Sequence, residues 1–148
     1  VLMDVFTRSI RGWHLSRNLD SGLTLAALER ALVVGTPDIH HSDQGVQYVS
    51  HNYVALLESQ QVRISMSRRG NPWDNATCES FMKTLKYEEV HRSEYRDLTE
   101  ARASIAEFLD KVYNQQRLHS ALGYVPPAEF EASLAAQKNQ EAASGGLL

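Results

Sequence analysis

The sequence predicts an α/β fold, because short strand-like runs alternate with longer segments of helical periodicity along the chain. The predicted order is strand, strand, helix, strand, helix, strand, helix, helix. A hairpin opens this order and later strands are separated by helices, so antiparallel and parallel pairing should both occur. At 148 residues, 43% of them hydrophobic, the chain fits one domain with a substantial core.

Two antiparallel strands are predicted at the start of the chain, over residues 2–7 and 10–16. Both runs are rich in β-branched and aromatic residues, and Arg8 with Ser9 predicts a tight hairpin turn between them. Trp13 lies in the second run and is expected in the core.

The first helix should begin near residue 20, where Asp20 or Ser21 can cap it. Its buried stripe is formed by leucines spaced i, i+3 and i+7: Leu25, Leu28 and Leu32. Residues 35–37 (GTP) end the helix. A short strand follows over residues 39–41, and Asp43 comes just past its end, where ligands commonly bind in α/β sheets.

A second helix is predicted from Ser50, followed by a strand over residues 62–66 and a Gly- and Pro-containing loop over residues 67–73. The apolar positions of the second helix are Tyr53, Val54, Leu56 and Leu57. Asp74 is placed to cap the helix that carries Glu79. On that helix the core side should contain Cys78, Phe81, Met82 and Leu85.

The C-terminal third predicts a helix from Leu98 and a short helix over residues 126–130. The buried stripe of the first should be Ile105, Phe108, Leu109 and Val112. Residues 1–131 are expected to form the folded domain, and residues 132–148 a flexible tail, because the end of the chain is rich in Ala, Gln, Ser and Gly.

Composition excludes several classes of protein. The net charge of −3 argues against a protein that coats DNA generally, although Arg63, Arg68, Arg69, Lys83 and Lys86 predict a local basic face. A single cysteine cannot form an internal disulfide, and no apolar run is long enough to span a membrane. No positively charged segment followed by an apolar one opens the chain, so secretion is not expected. A cytoplasmic protein is the expectation.

Asp43 and Glu79 are the residues that indicate chemistry. Two carboxylates can hold a hard divalent cation, which activates an oxygen nucleophile and stabilises a leaving oxygen. Glu79, Lys83 and Lys86 are spaced i, i+4 and i+7, so they share one helix face, where a lysine can meet a DNA phosphate.

Taken singly, each of these residues has a simpler explanation. Asp43 precedes Gly45 and can cap a turn, and Glu79 can be a surface residue paired with Lys83. His40 and His41 lack the partners of a zinc site and are expected to end a strand. Arg117 and His119 can contact DNA, orient the Glu79 helix, or pack at a helix end.

Three segments together resemble the integrase catalytic core of bacterial insertion-sequence transposases of the OrfB type, within the DDE superfamily. They are residues 41–48 (HSDQGVQY), 70–76 (GNPWDNA) and 79–86 (ESFMKTLK). Residues 4–8 (DVFTR) and 114–126 (NQQRLHSALGYVP) fit the same family. The resemblance covers residues 2–130 and implies a ribonuclease-H-like integrase core, a mixed sheet with flanking helices whose first strand is missing.

The resemblance also implies function. Asp43 and Glu79 would be catalytic carboxylates that bind Mg²⁺, with Mn²⁺ as an alternative, during DNA cleavage and strand transfer. The expected partners are the transposon ends, the target DNA, and a second copy or a full-length transposase, with no membrane. The residues expected to contact DNA are Lys86, Lys83, Arg68, Arg69, Asn71, Trp73 and Asn75.

One departure from the family pattern limits this expectation. The family uses three acidic residues, the first on an opening strand that should precede Val1, and Asp4 does not correspond to it. The chain alone is therefore expected to be inactive, or nearly so, in strand transfer. The competing interpretations are a non-catalytic remnant that binds DNA or full-length transposase, and a ribonuclease-H-type enzyme that cleaves RNA.

Overall fold

The computed structural model describes residues 1–68 and 76–145. Strands β1 (Leu2–Met3) and β2 (Ile10–Gly12) come first, followed by α1 (Ser21–Val34), β3 (Ile39–Ser42), α2 (His51–Ser59) and β4 (Arg63–Met66). Helices α3 (Ala76–Glu88), α4 (Leu98–Glu107) and α5 (Pro127–Gly145) complete the fold. A π-helical segment, Phe108–Gln116, continues α4, and 3₁₀ turns lie at Val90–Arg92 and Ser120–Leu122.

The strands form two separate ladders where the sequence predicted one mixed sheet. β1 pairs antiparallel with β2, and β3 pairs parallel with β4 in the register Ile39 to Arg63 through Ser42 to Met66. A groove of about 1200 Å³ is lined by β1 on one side and β3 on the other. Among the described residues no strand lies between β1 and β3, so nothing hydrogen-bonds the two ladders into one sheet.

The opening hairpin has shorter strands and a longer connection than predicted. Residues 4–9 form the loop in place of a two-residue turn at Arg8 and Ser9. The Asp4 carboxylate accepts hydrogen bonds from the backbone of Phe6 (2.9 Å) and Thr7 (3.1 Å), so a side chain supplies acceptors that a strand ladder would otherwise provide.

Helices α1 and α2 pack on each other around a cluster of Leu28, Tyr53, Leu57 and Val62. The predicted boundaries of α1 are confirmed: the Asp20 side chain accepts from the backbone N–H of Leu23, and the helix ends at Val34 before Gly35. Ser50 is the first flanking residue of α2, but its hydroxyl donates to the Gln47 carbonyl and does not cap the helix.

A second cluster joins β2, α3, α4 and the π-helical segment. Its buried members are Ile10, Phe81, Leu85, Ile105, Phe108, Leu109 and Tyr113. Trp13 packs against this cluster and is half-buried, in accordance with its predicted core position. Two predicted core residues are wrong. Met82 is exposed because it faces the groove, and Val112 is exposed because the wider π-helical turn shifts the helix faces.

The last helix is longer than predicted. Residues after 130 were expected to leave the helix, but α5 extends to Gly145, since alanine, glutamine and glutamate favour helices strongly. Glu131 attaches the start of α5 to the hairpin, because its carboxylate accepts from Arg11 Nη2 (2.7 Å) and from the Thr7 hydroxyl (2.7 Å). Within the described ranges, no helix is long and apolar enough to cross a membrane.

Candidate functional site

Asp43 follows directly on β3, as the sequence predicted, and its side chain is exposed. One carboxylate oxygen, Oδ1, accepts the backbone N–H of Gly45 at 2.8 Å. Oδ2 makes no hydrogen bond to a residue that the structure describes. The turn-capping role of Asp43 is therefore real, and it leaves one oxygen and part of the other available to a cation.

Gly45 leaves room for this geometry, although the sequence analysis assigned it no function. A Cβ atom at this position would lie 2.9 Å from Asp43 Oδ1 and 2.7 Å from the side-chain nitrogen of Gln47. Both separations are shorter than real Cβ contacts. The signal in the sequence was the spacing of Asp and Gly, which is typical of a side-chain-capped turn.

Glu79 lies in the first turn of α3 and is exposed, without an ion pair to Lys83 or to another described residue. The preceding residue, Cys78, lines the same groove as Asp43. Asp43 and Cys78, the residue before Glu79, therefore line one groove between the two ladders. Among the described residues no third acidic or histidine side chain joins Asp43 and Glu79 in a metal-binding cluster.

The electrostatics of Cys78 report how close these groups are. Burial raises the pKa of the half-buried Cys78 thiol, the α-ammonium group of Val1 opposes that change, and the carboxylates of Asp43 and Glu79 raise the pKa further. Burial also raises the pKa of Tyr48, and Asp43 adds to that effect. The carboxylates of Asp43 and Glu79 thus both influence the Cys78 thiol.

The two histidines of β3 are occupied by structural contacts. His40 is buried, and its Nε2 lies 3.1 Å from the Tyr53 hydroxyl. The ring nitrogens of His41 contact the hydroxyls of Ser65 (2.9 Å) and Ser67 (3.0 Å). The prediction that both residues belong to the strand end is confirmed, and these contacts hold β3 against α2 and β4.

The predicted DNA contacts divide into two groups. Lys83 and Lys86 are exposed on α3 and form no ion pair within the described part of the chain, and Arg68 is exposed just after β4. Arg69, Asn71, Trp73 and Asn75 lie outside the described residues, as does the proposed cap Asp74. Their assignment remains a prediction.

A second pocket lies on another face of α3, and the sequence analysis did not anticipate its composition. Arg8 enters it from the hairpin loop, and Arg117 and His119 enter it from the chain after the π-helical segment. Arg117 pairs with both carboxylate oxygens of Glu88 at the end of α3, which supports the helix-orienting role considered for it.

Comparison with known families matches nearly the whole chain to one description. Two family models, both described as integrase core domain, match residues 1–72 and residues 60–127. Together they span residues 1–127, which includes both ladders and the start of α5.

Known proteins of similar sequence are transposases. The chain is 40% identical to the transposase for insertion sequence element IS904 of Lactococcus lactis, over 134 residues that cover 88% of this chain and 53% of that protein. It is 35% identical to transposase InsF for insertion sequence IS3A of Escherichia coli K12, over 88% of this chain and 46% of that protein. The chain therefore spans about half the length of these curated relatives.

Solved structures show the same fold at low sequence identity. The catalytic core domain of BIV integrase superposes with a TM-score of 0.61 at 17% identity, over 89% of this chain and 86% of that one. A chain of the simian T-cell lymphotropic virus intasome, solved in complex with the PP2A regulatory subunit B56 gamma, superposes with a TM-score of 0.69 at 19% identity, over 86% and 45%. The predicted ribonuclease-H-like integrase core is confirmed at the level of fold.

Proposed function

We propose, from the premise that this chain belongs to the integrase core domain family, that it is catalytic-core sequence of an insertion-sequence transposase. The reaction would be metal-dependent phosphodiester cleavage at the transposon ends, followed by transfer of the 3′-hydroxyl strand to target DNA. The observation that supports this proposal is that Asp43 and Cys78, the residue before Glu79, line one groove. A protein that cleaves and joins DNA in this way would be located at the nucleoid.

The donor set fits a divalent metal of the kind that this family uses. Mg²⁺ is bound in enzymes by one or two carboxylates together with waters and substrate phosphates, and Asp43 and Glu79 both offer exposed oxygens. Mn²⁺ accepts the same ligands. When bound, the cation would stabilise charge on the attacking and leaving oxygens of the phosphodiester.

The remaining roles belong to residues of the chain. Asp43 and Glu79 would hold and orient the reacting phosphate through the cation, while Gly45 keeps the Asp43 carboxylate in place. Lys83 and Lys86 would bind backbone phosphates beside Glu79, because their ammonium groups are exposed on the same helix. Pairing of two copies, or with full-length transposase, is part of the proposal.

Strand transfer needs a third carboxylate in this scheme, and the described residues supply none. We therefore expect the 148-residue chain alone to have little or no activity. A further strand between β1 and β3 would fill the groove, and its end would bring an acidic side chain to Asp43.

The test compares the 148-residue chain with a version extended by the residues encoded upstream of Val1 at its native locus. Both are incubated with Mg²⁺ or Mn²⁺ and a labelled duplex carrying the DNA that flanks the gene. Cleavage and joining should appear with the extended chain only, and Asp43→Asn should abolish them. Asp38→Asn, on the exposed segment before β3, is the matched control and should retain activity.

Robust turnover by the 148-residue chain that disappears in Asp43→Asn would overturn the expected inactivity. Activity of the extended Asp43→Asn variant would instead overturn the catalytic assignment. A second candidate function, a non-catalytic remnant, is favoured by the split sheet, because the unpaired edges of β1 and β3 can recruit another chain. That candidate predicts self-association of the 148-residue chain and no activity in either version.

A further inference from the structure

The pocket that carries this inference has a volume of about 330 Å³ and opens on the face of α3 formed by Thr77, Ser80 and Thr84. The groove near Asp43 contacts α3 through Cys78, Met82 and Leu85, and it shares Thr77 with the pocket. The two cavities therefore lie on adjacent faces of one helix, on either side of Thr77. The pocket wall contains the hydroxyls of four serine or threonine residues and one tyrosine, together with two arginines and a histidine, and no carboxylate.

Arg8 contributes an uncompensated positive charge. Its Nη1 donates to the Thr77 hydroxyl at 3.0 Å, and it forms no ion pair within residues 1–68 and 76–145. The hairpin loop holds Arg8 in the left-handed backbone region, with φ of 63°, which costs a residue with a side chain about 1–2 kcal/mol. This strained backbone conformation directs the Arg8 guanidinium into the pocket.

His119 contributes an unsatisfied ring nitrogen. Its Nε2 is buried and has no hydrogen-bond partner among the described residues, while the ring packs edge-on against Tyr113. Burial lowers the pKa of His119, and the nearby Arg117 and Arg8 lower it further, so the ring is neutral near pH 7. An unpaired buried donor or acceptor is unfavourable, so Nε2 would gain stability from a hydrogen-bond partner in the pocket.

We propose that this pocket binds one phosphate group of the DNA backbone. A guanidinium fits phosphate oxygens in a fork geometry, and hydroxyl and imidazole donors can complete the shell. Phosphate contacts of this kind set the register of a protein on its duplex without reading sequence. The DNA source of the phosphate rests on the proposed function, whereas the anion site rests on the pocket alone.

The test measures binding of the 148-residue chain to a fluorescein-labelled duplex of random sequence in EDTA, by anisotropy over a range of NaCl concentrations. Removing one phosphate contact should lower the slope of log affinity against log salt by about 0.9. Arg8→Gln and His119→Gln should each weaken affinity, Arg8→Gln by about tenfold. Arg96→Gln is the matched control, since Arg96 pairs with Glu100 on an exposed surface outside the pocket.

A second measurement tests whether the pocket binds inorganic phosphate in the absence of DNA. Sodium phosphate should shift the imidazole resonances of His119 in NMR spectra, while sodium chloride at equal ionic strength should not. Thr84→Val, which removes a wall hydroxyl and keeps both cations, should weaken this response and provides a variant with little effect on the fold.

The outcomes separate this site from the proposed function. An unchanged salt slope in Arg8→Gln together with unchanged affinity in His119→Gln would overturn the pocket, and if Lys86→Gln weakens binding in the same series, DNA binding by α3 stands. A His119 response to phosphate in a chain that binds no duplex would overturn the DNA assignment of the pocket and would count against the proposed function too.

Discussion

The two faces of α3 carry opposite kinds of site. The groove face looks onto a cavity of about 1200 Å³, near two exposed carboxylates that have few partners in the folded chain. The pocket face looks onto a cavity of about 330 Å³, with Arg8 bonded to Thr77 and Arg117 bonded to Glu88. Hydrogen bonds between residues of the chain organise the pocket, whereas the carboxylates near the groove are largely unsatisfied.

This difference shows how a site can remain assembled while its central sheet is split. Tyr113 stacks edge-on between Phe81 and His119, so the pocket is continuous with the core around α3. The groove also reaches core residues such as Leu28 and Leu109, but the strands β1 and β3 that line it are not hydrogen-bonded to each other. The pocket should therefore bind phosphate in the 148-residue chain. Catalysis at the groove should depend on what fills the space between the ladders.

The sharpest comparison uses two glutamates of α3. In the extended chain, Glu79→Gln should reduce metal-dependent cleavage by on the order of a thousandfold, since it removes a cation ligand worth several kcal/mol. It should leave the free energy of unfolding within about 0.5 kcal/mol, because Glu79 has no partner among the described residues.

Glu88→Gln should do the reverse. It removes the charge that pairs with Arg117 and should lower the free energy of unfolding by about 1 kcal/mol. The cleavage rate should change by less than about fivefold. Cleavage rates and urea unfolding curves measure the two effects. If Glu88→Gln abolished cleavage as completely as Glu79→Gln, the division of α3 into two independent faces would be wrong.

The next largest effect concerns the support of Asp43. Gly45→Ala should reduce cleavage by roughly 10–100-fold, because the added methyl group would displace the Asp43 carboxylate. Gly35→Ala is the matched control: a Cβ atom there meets nothing within 4 Å, and its backbone is extended. Single-turnover cleavage with both variants at equal DNA occupancy measures the effect. A Gly45→Ala variant as active as Gly35→Ala would show that this turn does not position the carboxylate.

Local patterns in the sequence predicted much of this arrangement. Asp20, the leucine stripe and Gly35 fixed the boundaries of α1, and Asp43 is indeed the first residue after β3. The failures occur where tertiary context overrides local pattern. Met82 has core-like chemistry but faces a groove whose existence depends on strand pairing far away in the sequence.

The sequence did not predict the pocket, because tertiary structure assembles it from distant parts of the chain. Arg8 and Arg117 are separated by most of the chain, and only the fold brings them to α3. The spacing of Arg117 and His119 did indicate a site, yet it did not distinguish DNA binding from helix packing. The length of α5 was misread because a tail rich in Ala and Gln has the composition of a linker and the propensity of a helix.

A smaller effect is expected from the lysines of the α3 surface. Lys86→Gln and Lys83→Gln should each weaken duplex binding several-fold and lower the salt slope by about 0.9, because each exposed ammonium would release one counterion equivalent. Lys111→Gln is the control, since Lys111 is also exposed but pairs with Glu107 on the α4 side. Equal salt slopes for all three variants would show that α3 is not part of the DNA-binding surface.

The smallest effect should come from histidine titration, and it compares the two cavities through His40 and His119. Burial lowers the pKa of both residues below 6.5, and cationic neighbours, His41 for one and arginines for the other, lower it further. The unfolded chain therefore binds more protons than the folded chain near pH 6, so the free energy of unfolding rises with pH. Stability should be complete above about pH 6.5 and decline as the pH falls from there.

His40→Gln should flatten this dependence more than His119→Gln, because His40 is the more deeply buried. Urea unfolding at several pH values measures both slopes, and stability that increases on acidification would contradict the assignment.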